Sequence, residues 1–280
     1  MGDAPSKAQL RRTWEAAAPG WAKWEPSWAL TDATDAMIDA AGVEPGMNVL
    51  DVACGAGTQT LRAARRVGVS GRVLASDISS TMLEYLRTTA ADAGLANVST
   101  VVGAAEELQL PPASFDAAIC RLGLMLFASP ANALSAVYAA LKPGARLAAL
   151  VFTTPPNNPF MAEPMTILLQ HAGAQPAGPG TPGLFALGGE GVLEGLLSES
   201  GLTNVTTSTV RAPFRLPSAD DALLMFQEAA GAYRAVVAHL AEADRAAAWA
   251  DVRDNLLQFE TPDAFEAELE FVIGSGARPD

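Results

Sequence analysis

The chain is poor in the residues that do nucleophilic and metal chemistry, with two cysteines and two histidines in 280 residues. Cys54 and Cys120 are too few for a disulfide framework or a thiolate zinc site. Both fall in stretches that read as core or loop, where a free cysteine is ordinarily a small buried apolar residue. Basic residues are also scarce. Lys and Arg number 18 against 31 Asp and Glu, a formal net charge of −13. Such a surface repels phosphate backbones and anionic lipid, so nucleic acid and membrane surfaces are not expected partners. The bases that do adjoin form only short pairs, Arg11-Arg12 and Arg65-Arg66. No run reaches the ~18 uninterrupted apolar residues of a membrane span, and no leader-like apolar segment follows Met1. No metal-ligand cluster and no internal repeat is legible. The expected compartment is a reducing cytoplasm.

What is present is half hydrophobic, enough for one large α/β core. One stretch organises it, Val49-Leu-Asp51-Val-Ala53-Cys-Gly55-Ala-Gly57-Thr58. An apolar run ends in a glycine turn, and a helix-patterned segment follows from Thr58. Gly55 and Gly57 carry no Cβ, so backbone there can approach a ligand closely. Dinucleotide enzymes place a third glycine or alanine three residues on, with a pyrophosphate on the helix N-terminus. Here that position is Thr60, and an acid, Asp51, precedes the turn. A carboxylate suits a cation better than a diphosphate, and S-adenosylmethionine (SAM) carries an ammonium and a sulfonium.

Further along, Arg72 to Asp77 reads as a second strand ending in an acid. Asp77 lies at the spacing where a doubly wound fold puts a carboxylate for both ribose hydroxyls; its other reading is a helix cap before Ser79. Ile78 and Met82 are then apolar walls for an adenine ring. Strands three and four are expected at Val98–Gly103 and Ser114–Arg121, and strand five at Leu147–Phe152. Arg121 and Leu122 fall at a strand's carboxyl end, the rim where α/β sheets bind ligands.

These motifs, with Gly103-Ala104-Ala105-Glu106-Glu107-Leu108, Ser114-Phe115-Asp116 and Leu141-Lys142-Pro143-Gly144, resemble in order the class I SAM-dependent methyltransferases. The subgroup they look most like is the ubiquinone/menaquinone-biosynthesis type and its small-molecule relatives. The resemblance covers roughly residues 47–152. It implies a Rossmann-like, doubly wound, seven-stranded and mainly parallel sheet with an antiparallel last strand. It also implies an N-terminal helical lid and helical insertions after strands five and six. The implied parts are a lid over 1–42, a SAM-binding core over 43–152, an acceptor-pocket insertion over 153–187, and a C-terminal part of the core over 188–280 with a helical insertion at 218–258.

The cofactor implied is SAM, with S-adenosylhomocysteine (SAH) as product. Its expected contacts are Asp51, Ala53, Gly55, Gly57, Thr58, Asp77, Ile78, Met82, Gly103, Ala104, Ala105, Glu106, Arg121 and Leu122. Relatives carry Asp where this chain has Ala104, so a bond to the adenine amino group is lost, at a cost of about 0.5–1.5 kcal/mol. Glu106 is a candidate substitute. Four of five tryptophans, Trp14, Trp21, Trp24 and Trp28, lie near the start; they either pack a helix on the core or line a lid. Trp21, Trp24, Trp28, Met125, Asn158 and Phe160 are the expected acceptor pocket. His171 is either a general base or a surface histidine at a helix end. The reaction implied is direct in-line methyl transfer to a small, largely apolar acceptor (natural-product, aromatic or quinone-like), by a monomer or homodimer. The alternatives are a non-catalytic SAM-binding protein and a nicotinamide-dependent oxidoreductase.

Overall fold

The computed structural model describes residues 7–176 and 181–280. Seven strands form one sheet: β1 (Asn48–Val52), β2 (Arg72–Asp77), β3 (Val98–Val102), β4 (Phe115–Arg121), β5 (Leu141–Phe152), β6 (Thr203–Leu216) and β7 (Phe265–Ala277). Their order is β3-β2-β1-β4-β5-β7-β6. β1 to β5 pair in parallel, and β7 runs antiparallel to both β5 and β6. Helices α1 (Lys7–Trp24), α2 (Thr31–Ala40), α3 (Thr58–Val67), α4 (Ser80–Asp92), α5 (Pro130–Ala140), α6 (Pro159–His171), α7 (Val192–Glu199), α8 (Ala219–Ala229), α9 (Gly231–Val237) and α10 (Glu242–Leu256) complete the fold. Strands β1 and β4 are buried along nearly their whole length and β5 from Leu147 to Phe152, as parallel strands covered on both faces must be.

Local chemistry sets the helix starts. The Ser79 hydroxyl accepts from the N–H of Met82 at 3.1 Å, and that of Ser218 accepts from Asp221 at 3.1 Å; each satisfies an amide that a helix N-terminus leaves open. Pro130 opens α5 at a position needing no N–H donor. Two motifs of the sequence sit at the sheet's amino edge, away from the carboxyl ends. Asp116 accepts from the N–H of Asn48 at 2.9 Å and from Lys142 at 2.5 Å, so one carboxylate ties the starts of β1, β4 and β5. The β4–β5 register shifts between Phe115 and Ala117. Strand β5 accordingly starts at Leu141, earlier than the apolar run from Leu147 predicts.

The first helix differs from expectation. Its pattern predicts an end at Ala18 before Pro19-Gly20, and its expected start, Ser6, lies outside the described residues. In the structure α1 continues to Trp24 with Pro19 inside it. The reason is tertiary. A Cβ on Gly20 would lie 2.2 Å from the carbonyl oxygen of Glu228, so glycine here permits close helix packing on α8 instead of ending α1. Residues 177–180, within a Gly/Pro/Ala-rich stretch from Gly173 to Gly183 that reads as a loop, also lie outside the described residues. The segment from Ser218 to Gln258 contains α8, α9 and α10, as its pattern predicts.

Candidate functional site: the carboxyl ends of β1, β2 and β4

The loop after β1 takes a tight path over its neighbours. Ala53, Gly55 and Gly57 all have positive φ, +55°, +58° and +106°. Leu122, just past β4, has φ +59°. Left-handed backbone costs an alanine or leucine roughly 1–2 kcal/mol, and such strain concentrates where a fold positions a ligand. Gly123 fits beside this loop because a Cβ there would lie 2.6 Å from the methyl of Ala53. Gly57 is similarly constrained, since its added Cβ would meet the Leu86 side chain at 2.2 Å.

Three carboxylates and one guanidinium lie buried around this loop. Asp51 is fully buried. One of its oxygens accepts from the Thr60 hydroxyl, the other from Gln59 Nε2 at 3.3 Å. Burial pushes its carboxyl up to about 7, against the pull of Thr60, Gln59 and Arg121. Asp77 accepts from the N–H of Gly55 and of Ser79, each at 2.9 Å. Burial lifts it to about 6, opposed by those same amides. The third acid, Glu25, follows α1 on a 3₁₀ turn over Glu25–Trp28. It is 5% exposed and accepts from the N–H of Thr58 at 2.9 Å; burial raises its pKa too. Arg121 is buried among them, its Nε donating to Gln59 Oε1 at 3.0 Å and its Nη1 to the Trp28 carbonyl. Burial lowers its pKa, and Glu25 and Asp51 oppose that.

Helix α1 covers the loop. A Cβ on Gly55 would lie 3.1 Å from the Trp21 indole nitrogen, so the ring rests directly on the glycine. Ala18, Ala56 and Met82 pack together with Trp14, Trp21 and Ala22 against them. The Glu15 carboxylate accepts from the N–H of Ser80 at 2.7 Å and of Thr81 at 3.3 Å, at the start of α4. Partial burial pulls the Glu15 carboxyl up, and the donors of Thr81, Ser80 and Ser79 more than reverse it, to about 2. The ring of Trp28 stacks on Trp21, centroids 6.0 Å apart, and touches Phe152 and Phe214. Its Nε1 is buried without a hydrogen-bond partner.

The structure therefore gathers Asp51, Ala53, Gly55, Gly57, Thr58, Asp77, Arg121 and Leu122 with Trp21 and Trp28. Ile78 follows Asp77 directly, and Met82 reaches the Trp21 side of the loop from α4. Gly103 is tied to the end of β2, its N–H donating to the Asp77 carbonyl at 2.9 Å. Ala104 and Ala105 follow it, both buried. Glu106 has another partner: it accepts from the N–H of Ser129 at 3.1 Å, ahead of α5.

Other expected pocket residues have structural partners. Trp24 donates from Nε1 to Glu228 on α8 at 2.7 Å. Asn158, fully buried, brackets β5 to β7: its Nδ2 donates to the Glu270 carbonyl at 3.1 Å and its Oδ1 accepts from the Glu270 N–H at 2.9 Å. Phe160, fully buried, packs among Phe214, Phe226 and Phe265, and Met125 is also buried. The structure does not bring His171 to the loop. Its Nε2 is 2.7 Å from Asp251 on α10. Glu25 was the residue sequence reasoning missed; its only signal is a lone acid between Trp24 and Pro26 in a tryptophan-rich stretch.

Strand order, the antiparallel β7 and the glycine loop at the end of β1 together define the class I SAM-dependent methyltransferase fold. Residues 49–144 match the family model described as a methyltransferase domain. The ubiquinone/menaquinone biosynthesis C-methyltransferase of Psychromonas ingrahamii is 40% identical over 124 residues, 44% of this chain and 49% of that protein. This chain thus spans about half the length of the curated relatives it matches. Among solved structures, the YcgJ protein of Bacillus subtilis aligns with TM-score 0.60 and 18% identity, over 89% of this chain and 99% of its own. The [4+2]-cyclase SpnF aligns with TM-score 0.63 and 18% identity, over 100% and 98%. At these identities the two structures establish the fold alone. No described helix is long and apolar enough to cross a membrane.

Proposed function

We propose that this protein is a SAM-dependent methyltransferase acting on a small, largely apolar acceptor. The observation that carries the reading is the pairing of Asp77 with Gly55 at 2.9 Å. It sets a carboxylate beside a glycine backbone that no Cβ shields, at adjacent strand ends of a methyltransferase domain. In this reading Asp77 takes the ribose hydroxyls, and Ile78, Met82, Ala104 and Ala105 wall the adenine. Gly55, Gly57 and Thr58 run under the chain that joins sugar to methionine, and Ala53, Arg121 and Leu122 close its far end. The residues suit the group chemically: acids face a net cation, apolar side chains face the ring, and the loop's glycines leave room for close approach.

When bound, SAM supplies a methyl group already activated by the sulfonium. What remains for the protein is to hold the nucleophile in line and keep water out. Trp21, Trp28, Phe152 and Phe214 form a packed apolar cluster beside the loop that suits both tasks. We assign the described residues of 1–42 as the lid, 43–152 as the cofactor core and the described residues of 153–187 as an insertion that walls the acceptor side. No side chain is assigned as general base: His171 lies at the end of α6 remote from β5, against Asp251 of α10.

Ala104 in place of an acid favours a second reading, a SAM-binding protein without transferase activity. Incubating the full chain with isotope-labelled SAM and a panel of phenols, quinols and apolar ketones tests the first. Label in an organic-soluble product supports it. SAM binding by calorimetry with no transfer to any acceptor would favour the second. Binding of NADH without SAM would remove both.

A further inference from the structure

We propose that Glu25 receives the α-ammonium of the cofactor's methionine arm. This rests on the reading of the loop as a SAM site. The sequence directs attention to Asp51 as the acid for a cationic ligand, but Asp51 is fully buried with both oxygens engaged by Thr60 and Gln59. Asp77 is held by Gly55 and Ser79 at the other end of the loop, where the sugar is assigned. Glu25 sits on the backbone N–H of Thr58, at the start of α3, where the Thr58 hydroxyl and the Gly57 amide also favour its charged form; unlike Asp51, it keeps some exposure. A ligand laid along the loop with its sugar at Asp77 extends toward Glu25 and Arg121. Those two are near enough to shift each other's ionisation. They offer one negative and one positive group, the complement of an amino-acid zwitterion.

Charge favours the same assignment. Three buried carboxylates face a single guanidinium, and burial raises the pKa of all three. An added cation stabilises the ionised cluster. The turn that carries Glu25 is also fixed to the core independently of α1. Arg121 donates to the Trp28 carbonyl, and the Trp28 ring lies 4.6 Å from Phe214. Helix α1 is held by the pairs Lys7–Glu107 and Lys23–Glu228, by Glu15 on α4, and by Gly20 and Trp24 against Glu228 of α8. Glu25 is thus anchored from the core side of the loop as well as from α1.

Glu25→Gln keeps the oxygen that accepts from Thr58 and removes the charge. The test is calorimetry of the full chain with SAM, SAH and 5′-methylthioadenosine, which shares the thioether and nucleoside but lacks the amino acid. The expected result is about tenfold weaker binding of SAM and of SAH, with 5′-methylthioadenosine unchanged. Glu25→Asp, which restores the charge on a shorter arm, is expected to recover part of the loss. Unchanged or tighter SAM binding by Glu25→Gln overturns the inference, and so does an equal loss for 5′-methylthioadenosine, which marks a merely structural role. Wild-type protein that binds none of the three sinks the SAM reading itself, a different failure.

Discussion

At Trp28 a buried indole N–H is left without an acceptor, which costs about 1–3 kcal/mol in a folded protein. Trp28→Phe removes that donor and keeps most of the ring packing on Trp21 and Phe214. The expected outcome is a stability change below about 1 kcal/mol, or a gain, where a well-packed tryptophan would lose more; urea unfolding of the two proteins measures it. Asp77 behaves otherwise. Asp77→Ala frees the amides of Gly55 and Ser79 and deletes the assigned ribose acceptor, so SAM affinity is expected to fall at least about tenfold. A dissociation constant unmoved in calorimetry would count against that assignment. Residues of this kind were legible because spacing along the chain sets them: a glycine loop, then an acid at the end of the next strand. Glu25 was not, because it reaches Thr58 across 33 positions of sequence, and no local pattern marks such a contact.

The element most dependent on tertiary context is α1. Propensity argues for a break at Pro19-Gly20, yet the helix continues, because contact with α8 stabilises it where the local sequence does not. Gly20→Ala tests this. Its Cβ would meet backbone, the Glu228 carbonyl at 2.2 Å, which cannot rotate away as a side chain can. Overpacking of this sort costs about 1–3 kcal/mol, although alanine is the better helix former by about 1 kcal/mol. The expected net effect is destabilisation, with α1 the first helix to lose hydrogen-exchange protection. A stabilised variant would show that the helices do not pack this closely in solution. The strand cores, by contrast, were readable from unbroken apolar runs such as Ala117 to Cys120. The start of β5 was obscured by Pro143 and Gly144, which a run of hydrophobicity does not cross.

For the whole molecule, the buried acids set a pH dependence. In an unfolded chain Asp titrates near 4, but in the fold Asp77 holds its proton to about 6 and Asp51 to about 7. Between those limits the folded form binds more protons than the unfolded one. Stability from these groups is thus complete below the unfolded value and lost as pH rises through the folded ones. Glu15, held at about 2, acts in the opposite sense, with stability that is fully present above the unfolded glutamate value and lost only as pH falls below it. The melting temperature of ligand-free protein is expected to fall between about pH 5 and pH 8, and Asp51→Asn to flatten the fall; an unaltered slope would exclude Asp51 as its source. The sheet has a consequence of a different kind. Strand β7, made last, is wedged between β5 and β6, so on the ribosome β6 emerges as a threonine-rich ribbon with no neighbour to zip against. The growing polypeptide must keep that ribbon from pairing with other molecules until its final strand slides in. Any delay between β6 and Phe265 thus lengthens the interval in which an unpaired edge invites aggregation.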